Sequence, residues 1–166
     1  TAALLDQCND AAKKISANRK KAIKPLSENV NGLLARIGMP NARFIATTLP
    51  LDALSELGID RIEFLFNANL PAGLADKSDR YEPSRKVASG GELSRLMLCI
   101  KSLVAKKLQL PTLIFDEIDT GISGEAAKQV GNIMKDLAKN HQLISITHQP
   151  QIAAKANAHY FVYKAI

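Results

Sequence analysis

Cysteine is scarce. Cys8 and Cys99 are the only two in 166 residues, and neither belongs to a C-x-x-C pair or sits at a ligand spacing from a histidine. That argues against a zinc site and against a disulfide framework, so both are expected to be reduced and to serve as small apolar packing residues. Long hydrophobic runs are also missing. The apolar stretches fall far short of the roughly 20 residues that span a bilayer, and no basic start, apolar middle and small-residue cleavage site occurs in order. A cytoplasmic location without a membrane partner is the expectation. The third absence is chemical: no Gly is followed by Lys anywhere in the chain. The sequence therefore has no G-x-x-x-x-G-K-[S/T] loop, whose successive amides and lysine cradle the β and γ phosphates of a nucleotide.

What is present suffices for one respectable core. With 46% hydrophobic residues in 166, the chain reads as a single compact unit with one appendage. The net charge of +6 is compatible with a nucleic-acid partner. Much of the excess lies at Lys13, Lys14, Arg19, Lys20, Lys21 and Lys24, which reads either as a solvated helix face or as a surface for DNA phosphates. The chain opens at Thr1 inside a helical pattern and without an initiator Met, as expected of an excised fragment.

Apolar residues recur at helical spacing from Leu4 to about Ile37: Leu5, Cys8, Ala12 and Ile15, then Leu26, Val30, Leu33, Leu34 and Ile37. Pro25 is expected to kink or break this run near Lys24, and Gly38 with Pro40 to end it. The near-3.5 spacing fits the stump of a coiled-coil arm, and an ordinary surface helix fits it as well. Arg43–Leu49 and Arg61–Asn67 read as strands rich in β-branched and aromatic residues, with the segment between Pro50 and Gly58 as connector. Asn69–Lys86, with Pro71, Gly73 and Pro83 among charges, reads as a disordered loop. Beyond Val87 helices and strands alternate: helix Glu92–Lys107, strand Thr112–Asp116, helix Gly124–Lys139, strand Leu143–Thr147, a short helix from Pro150 and a strand His159–Lys164. The stripes Leu93, Leu96, Met97, Ile100, Leu103, Val104 and Ala127, Val130, Ile133, Met134, Leu137 are expected to cover a largely parallel sheet.

Four short motifs carry the chemistry. LIFDE (Leu113–Glu117) is a buried strand ending in two carboxylates, Asp116 and Glu117, at the sheet edge where open α/β folds bind ligands. The first suits Mg²⁺ and the second an attacking water, although a strand running into a solvated turn has the same pattern. ISITH (Ile144–His148) is a second apolar strand. A single helix joins the two, so the crossover makes them parallel and brings His148 toward the acids. There an imidazole can bond a terminal phosphate or its attacking water; the plainer reading is a loop histidine. Ser89-Gly90-Gly91-Glu92 precedes the long amphipathic helix and reads as a capping box or, with the same atoms, as a phosphate seat. Asp119-Thr120-Gly121-Ile122-Ser123-Gly124 reads as turn and cap, or as an interface or water-coordinating segment.

In this order and at these separations, SGGE, LIFDE, DTGISG and ITH resemble the signature motif, Walker B strand, D-loop and H-loop of ABC-type ATPases. Within them ASGGELSR (Ala88–Arg95), FDEIDTGISG (Phe115–Gly124) and THQPQIA (Thr147–Ala153) look like the SMC-like RecN family, with FNAN at Phe66–Asn69 in support. Transporters usually carry Pro where this chain has Ile118. The match is close over Val87–Lys164 and looser from Thr1 to Leu65, and the Ala72–Arg85 loop is not assigned to any pattern of the family.

The resemblance implies an α/β, P-loop NTPase-like carboxy-terminal head lobe at residues 39–166, mostly parallel sheet flanked by helices, and a helical coiled-coil arm stump at 1–38. It implies that Asp116 serves Mg²⁺, Glu117 is the general base and His148 senses the γ-phosphate. Ser89, Gly90, Gly91 and Glu92 would meet ATP held by the opposite head, with Asp119 near the dimer interface. The implied partners are an amino-terminal lobe carrying the phosphate loop, a second head in a homodimer, and double-stranded or broken DNA. The implied role is DNA double-strand break repair at the nucleoid, with ATP hydrolysis by the full-length protein and none by this stretch alone. A non-catalytic dimerisation lobe or a DNA-binding lobe is the alternative.

Overall fold

The computed structural model describes residues 2–70, 81–83, 90–108, 110–116 and 118–164, which divide into two compact units. The first is built on α1 (Ala2–Arg36), β1 (Arg43–Ser55), β2 (Gly58–Asn67) and β3 (Glu82–Pro83). These strands form an antiparallel sheet in the order β1-β2-β3. Phe44 and Phe66 lie directly opposite each other, and both are buried. Two residues join β1 to β2, and Gly58 takes a φ of +108° at the turn, a conformation glycine enters without steric cost. The strand expected to stop near Pro50 runs on to Ser55, with an irregularity in register between Pro50 and Ser55.

The expected break at Pro25 does not form: α1 continues through it for 35 residues. One helical bond is lost there, and Lys21, whose carbonyl gives up its partner, is solvent-exposed, so water takes over. Side chains on both sides of Pro25 fasten the helix to the sheet. Arg19 donates to the backbone carbonyl of Asp60 at 2.8 Å and pairs with its carboxylate. The Asn31 amide brackets the backbone of Phe44, donating at 3.0 Å and accepting at 2.7 Å, and Ser27 accepts from the Ala46 N–H. Near the start of α1, Leu4, Leu5, Cys8 and Ile15 are exposed, so Cys8 does not pack as expected. The loop expected over 69–86 lies mostly outside the described residues; within it Glu82–Pro83 pairs with β2.

The second unit takes the last turn of α1, then α2 (Gly90–Leu108), β4 (Thr112–Phe115), α3 (Gly124–Leu137), β5 (Gln142–Ser145) and α4 (Pro150–Ala153). The α3 stripe is buried as expected: Ala127, Val130, Ile133, Met134 and Leu137. The α2 stripe is rotated from the expected one. Met97 and Leu103 are exposed, while Leu96, Leu98, Cys99 and Ala105 are buried. Burial pushes the Cys99 thiol up to about 12. β4 turns Leu113 and Phe115 inward, with the Lys101 ammonium 5.1 Å from the centre of the Phe115 ring.

β4 and β5 pair in parallel through Leu113↔Leu143 and Ile114↔Ile144. The expectation of a mostly parallel sheet thus holds for this pair, whereas the three-stranded sheet is antiparallel. The strand expected at 159–164 is not formed. Tyr160, Phe161, Val162 and Tyr163 are exposed there, and among the described residues no strand pairs with them.

Candidate functional site at the shared end of two parallel strands

Because β4 and β5 are parallel and in register, their carboxyl ends share one edge. The ladder extends one step further, the Ile146 N–H donating to the Phe115 carbonyl at 3.0 Å. Asp116 follows β4 directly, and Thr147 and His148 follow β5. Asp116, Asp119, Thr120, Ile146, Thr147 and His148 line one open cavity of about 300 Å³. The strand order therefore delivers an exposed carboxylate and an exposed imidazole to the same depression, with the His148 side chain 73% accessible.

Asp119, in the turn after β4, is buried at 2% exposure. Its Oδ2 accepts from the Thr147 hydroxyl at 2.5 Å and from the His148 N–H at 2.9 Å, and lies 3.3 Å from His148 Nδ1. Burial alone would raise its pKa, but those two hydrogen bonds and the neighbouring imidazole outweigh it and hold the carboxyl below its ordinary value. Ser123 occupies the N-cap position of α3, but its side-chain oxygen accepts no capping hydrogen bond, which corrects its expected capping role.

Gly90, Gly91 and Glu92 form the first turn of α2, where the backbone amides and helix dipole favour an anion. Among the described residues they do not line the cavity with Asp116 and His148. Ser89 and Glu117 lie outside the described residues.

Three residues were not singled out from sequence. The Arg95 guanidinium is 6% exposed and donates to the Thr120 carbonyl at 2.5 Å and to Met39 Sδ at 3.3 Å. Burial pulls its pKa below the ordinary arginine value. Gln149 donates to the Ile122 carbonyl at 3.0 Å, and Thr147 bonds Asp119. The available signal was position: Arg95 lies within ASGGELSR, and Thr147 and Gln149 flank His148.

The architecture is that of an SMC-type head. The chain is similar to the Smc head domain with an extended coiled coil, bound to the C-terminal domain of ScpA, from Pyrococcus furiosus, with a TM-score of 0.60, 21% identity and coverage of 94% of this chain and 36% of that one. The Smc head domain with a coiled coil and joint from Pyrococcus yayanosii gives a TM-score of 0.61 at 20% identity, covering 94% and 28%. These likenesses establish the fold.

Sequence narrows the comparison to one kind of protein. The chain is 35% identical over 160 residues to the DNA repair protein RecN of Haemophilus influenzae, covering 96% of this chain and 27% of the relative. It is 41% identical over 162 residues to that of Rickettsia typhi, covering 97% and 28%. The chain thus matches the carboxy-terminal part of RecN along nearly its whole length and spans little more than a quarter of those relatives. No family model matches it.

Proposed function

We propose that this chain is the carboxy-terminal lobe of an SMC-like ATPase head that acts in DNA double-strand break repair. In this reading residues 39–166 form the lobe and 1–38 the base of a coiled-coil arm. The observation that carries it is the juxtaposition of Asp116 and His148 in one cavity at the shared end of β4 and β5. The similarity to proteins named for DNA repair supplies the biological setting.

Among the described residues no group of three His, Cys, Asp or Glu is arranged to hold a metal. A nucleotide-associated Mg²⁺ is held by one or two carboxylates with phosphate oxygens and water. Asp116 is the residue to supply that carboxylate, and the ion's role when bound is to offset phosphate charge. Glu117, next in the chain, orients and deprotonates the attacking water, and His148 bonds the γ-phosphate.

Ser89, Gly90, Gly91 and Glu92 meet nucleotide carried by a second head, which makes ATP binding and head engagement one event. An amino-terminal lobe contributes the phosphate loop, and the engaged heads form a homodimer that handles DNA. No described helix is long and apolar enough to cross a membrane.

The test is Glu117→Gln in the full-length protein. Hydrolysis should fall by at least about a hundredfold, as for loss of a general base, with ATP binding retained and the ATP-bound dimer accumulating. Undiminished hydrolysis would reject the catalytic reading in favour of a non-catalytic dimerisation lobe.

A further inference from the structure

We propose that Asp119 is the positioning residue of this site: its buried carboxylate fixes the end of β5, and with it His148, against the turn after β4, which Arg95 in turn fastens to α2. The functional consequence rests on the nucleotide-site reading above, but the inference itself stands on separate observations.

The contacts form a continuous path. From α2, Arg95 reaches the Thr120 carbonyl at 2.5 Å. The next residue back along the turn is Asp119, whose Oδ2 takes the Thr147 hydroxyl and the His148 N–H and lies 3.3 Å from His148 Nδ1. Gln149 closes the far end of the same turn through the Ile122 carbonyl. An aspartate that merely shaped its own turn would bond local backbone and face water. This one is buried and spends one oxygen on the segment that follows β5, 28 and 29 residues away.

The chemistry explains why such a brace is useful. An imidazole acts only within hydrogen-bond reach of its target, and His148 is otherwise an exposed side chain free to rotate. A carboxylate can only accept, so Nδ1 carries the proton when the two are bonded, and Nε2 is left for a ligand in the cavity. Arg95 lies four residues beyond Gly91 on α2. A displacement of that helix N-terminus therefore has a direct mechanical route to the histidine.

Two variants test this. Asp119→Asn keeps the size and one acceptor oxygen, and Asp119→Ala removes both. In Asp119→Ala, amide hydrogen exchange at His148 should accelerate about tenfold or more, as expected when a bond to a charged acceptor is lost. The Val130 and Ile133 amides in α3 should stay protected. In Asp119→Asn, ¹⁵N spectra of the His148 ring should show the Nδ1–H tautomer giving way to the mixture of a free imidazole.

An unchanged tautomer in Asp119→Asn overturns the proposal, even if Asp119→Ala fails to fold. In the full-length protein Asp119→Asn should lower kcat for ATP hydrolysis by about tenfold to a hundredfold with little change in KM, the usual cost of losing a group that orients a catalytic one. A shifted ring with undiminished kcat would leave the positioning role standing and reject the nucleotide-site reading.

Discussion

Replacing Gly38 by alanine should destabilise the second unit by about 2–5 kcal/mol, the sum of two separable effects. Gly38 follows the end of α1 with a φ of +83°, and the Met39 N–H returns to the Leu34 carbonyl at 3.0 Å, the 6→1 bond of a Schellman cap. An L-residue in that left-handed region costs roughly 1–2 kcal/mol. A Cβ placed there also lies 2.8 Å from the Ala126 Cβ, well inside the roughly 3.5–4.0 Å of favourable carbon contact. Forced overpacking of this kind adds roughly 1–3 kcal/mol.

Urea unfolding should therefore show the midpoint falling by about 1–2.5 M at a slope of about 2 kcal/mol/M, that of a small protein. Adding Ala126→Gly should recover the steric part and leave the conformational part, so the two substitutions should be non-additive. At Gly32, in mid-helix with nothing within 4 Å of an added Cβ, alanine should instead stabilise by about 0.5–1 kcal/mol. A Gly38→Ala variant within about 0.5 kcal/mol of the parent, the range of ordinary surface changes, would refute this account of the turn that carries Met39 beneath Arg95.

Pro25→Ala should raise the melting temperature, because it restores a bond to a continuous helix that tolerates proline at a cost of up to about 3 kcal/mol; a lower melting temperature would show that the ring contributes packing instead. The folded-state pKa of Asp119 is depressed below the ordinary 3.8, so its charge contributes stability that is fully present above that value and lost as pH falls through the folded pKa. The stability difference between the parent and Asp119→Asn should thus be flat near neutrality and shrink below about pH 4, and a difference that widens in acid would contradict the assignment. A thiol reagent should modify exposed Cys8 rapidly and leave Cys99, buried and pushed up to about 12, unmodified until unfolding. Equal rates would place Cys99 at the surface.

The parts of this fold legible in sequence are those whose determinants are local. The α3 stripe repeats at helical spacing and is buried where expected. The β4–α3–β5 unit is parallel because one helix is too long a connection for a hairpin and suits a crossover, and that places Asp116 and His148 together. The illegible parts depend on partners distant in sequence. Nothing near Pro25 announces that Arg19 and Asn31 will pin the helix on both sides of it. The aromatic segment after His159 has strand propensity, but propensity expresses a fit to neighbouring strands, and none pairs with it among the described residues. Asp119 has the sequence context of a turn acid; its burial follows from Thr147 and His148 arriving on the segment after β5.

If the edge of β4 and β5 is half of a nucleotide site, ATP turnover must depend both on the Asp116 carboxylate and on polypeptide beyond this chain. The direct measurement is ATP hydrolysis by the full-length protein, by its Asp116→Asn variant and by this chain alone. Turnover should be seen in the first, should fall by at least about a hundredfold in the second, consistent with loss of electrostatic stabilisation of the transferring phosphate, and should be negligible in the third. Sustained hydrolysis by the isolated chain, or full activity without the Asp116 carboxylate, would contradict it.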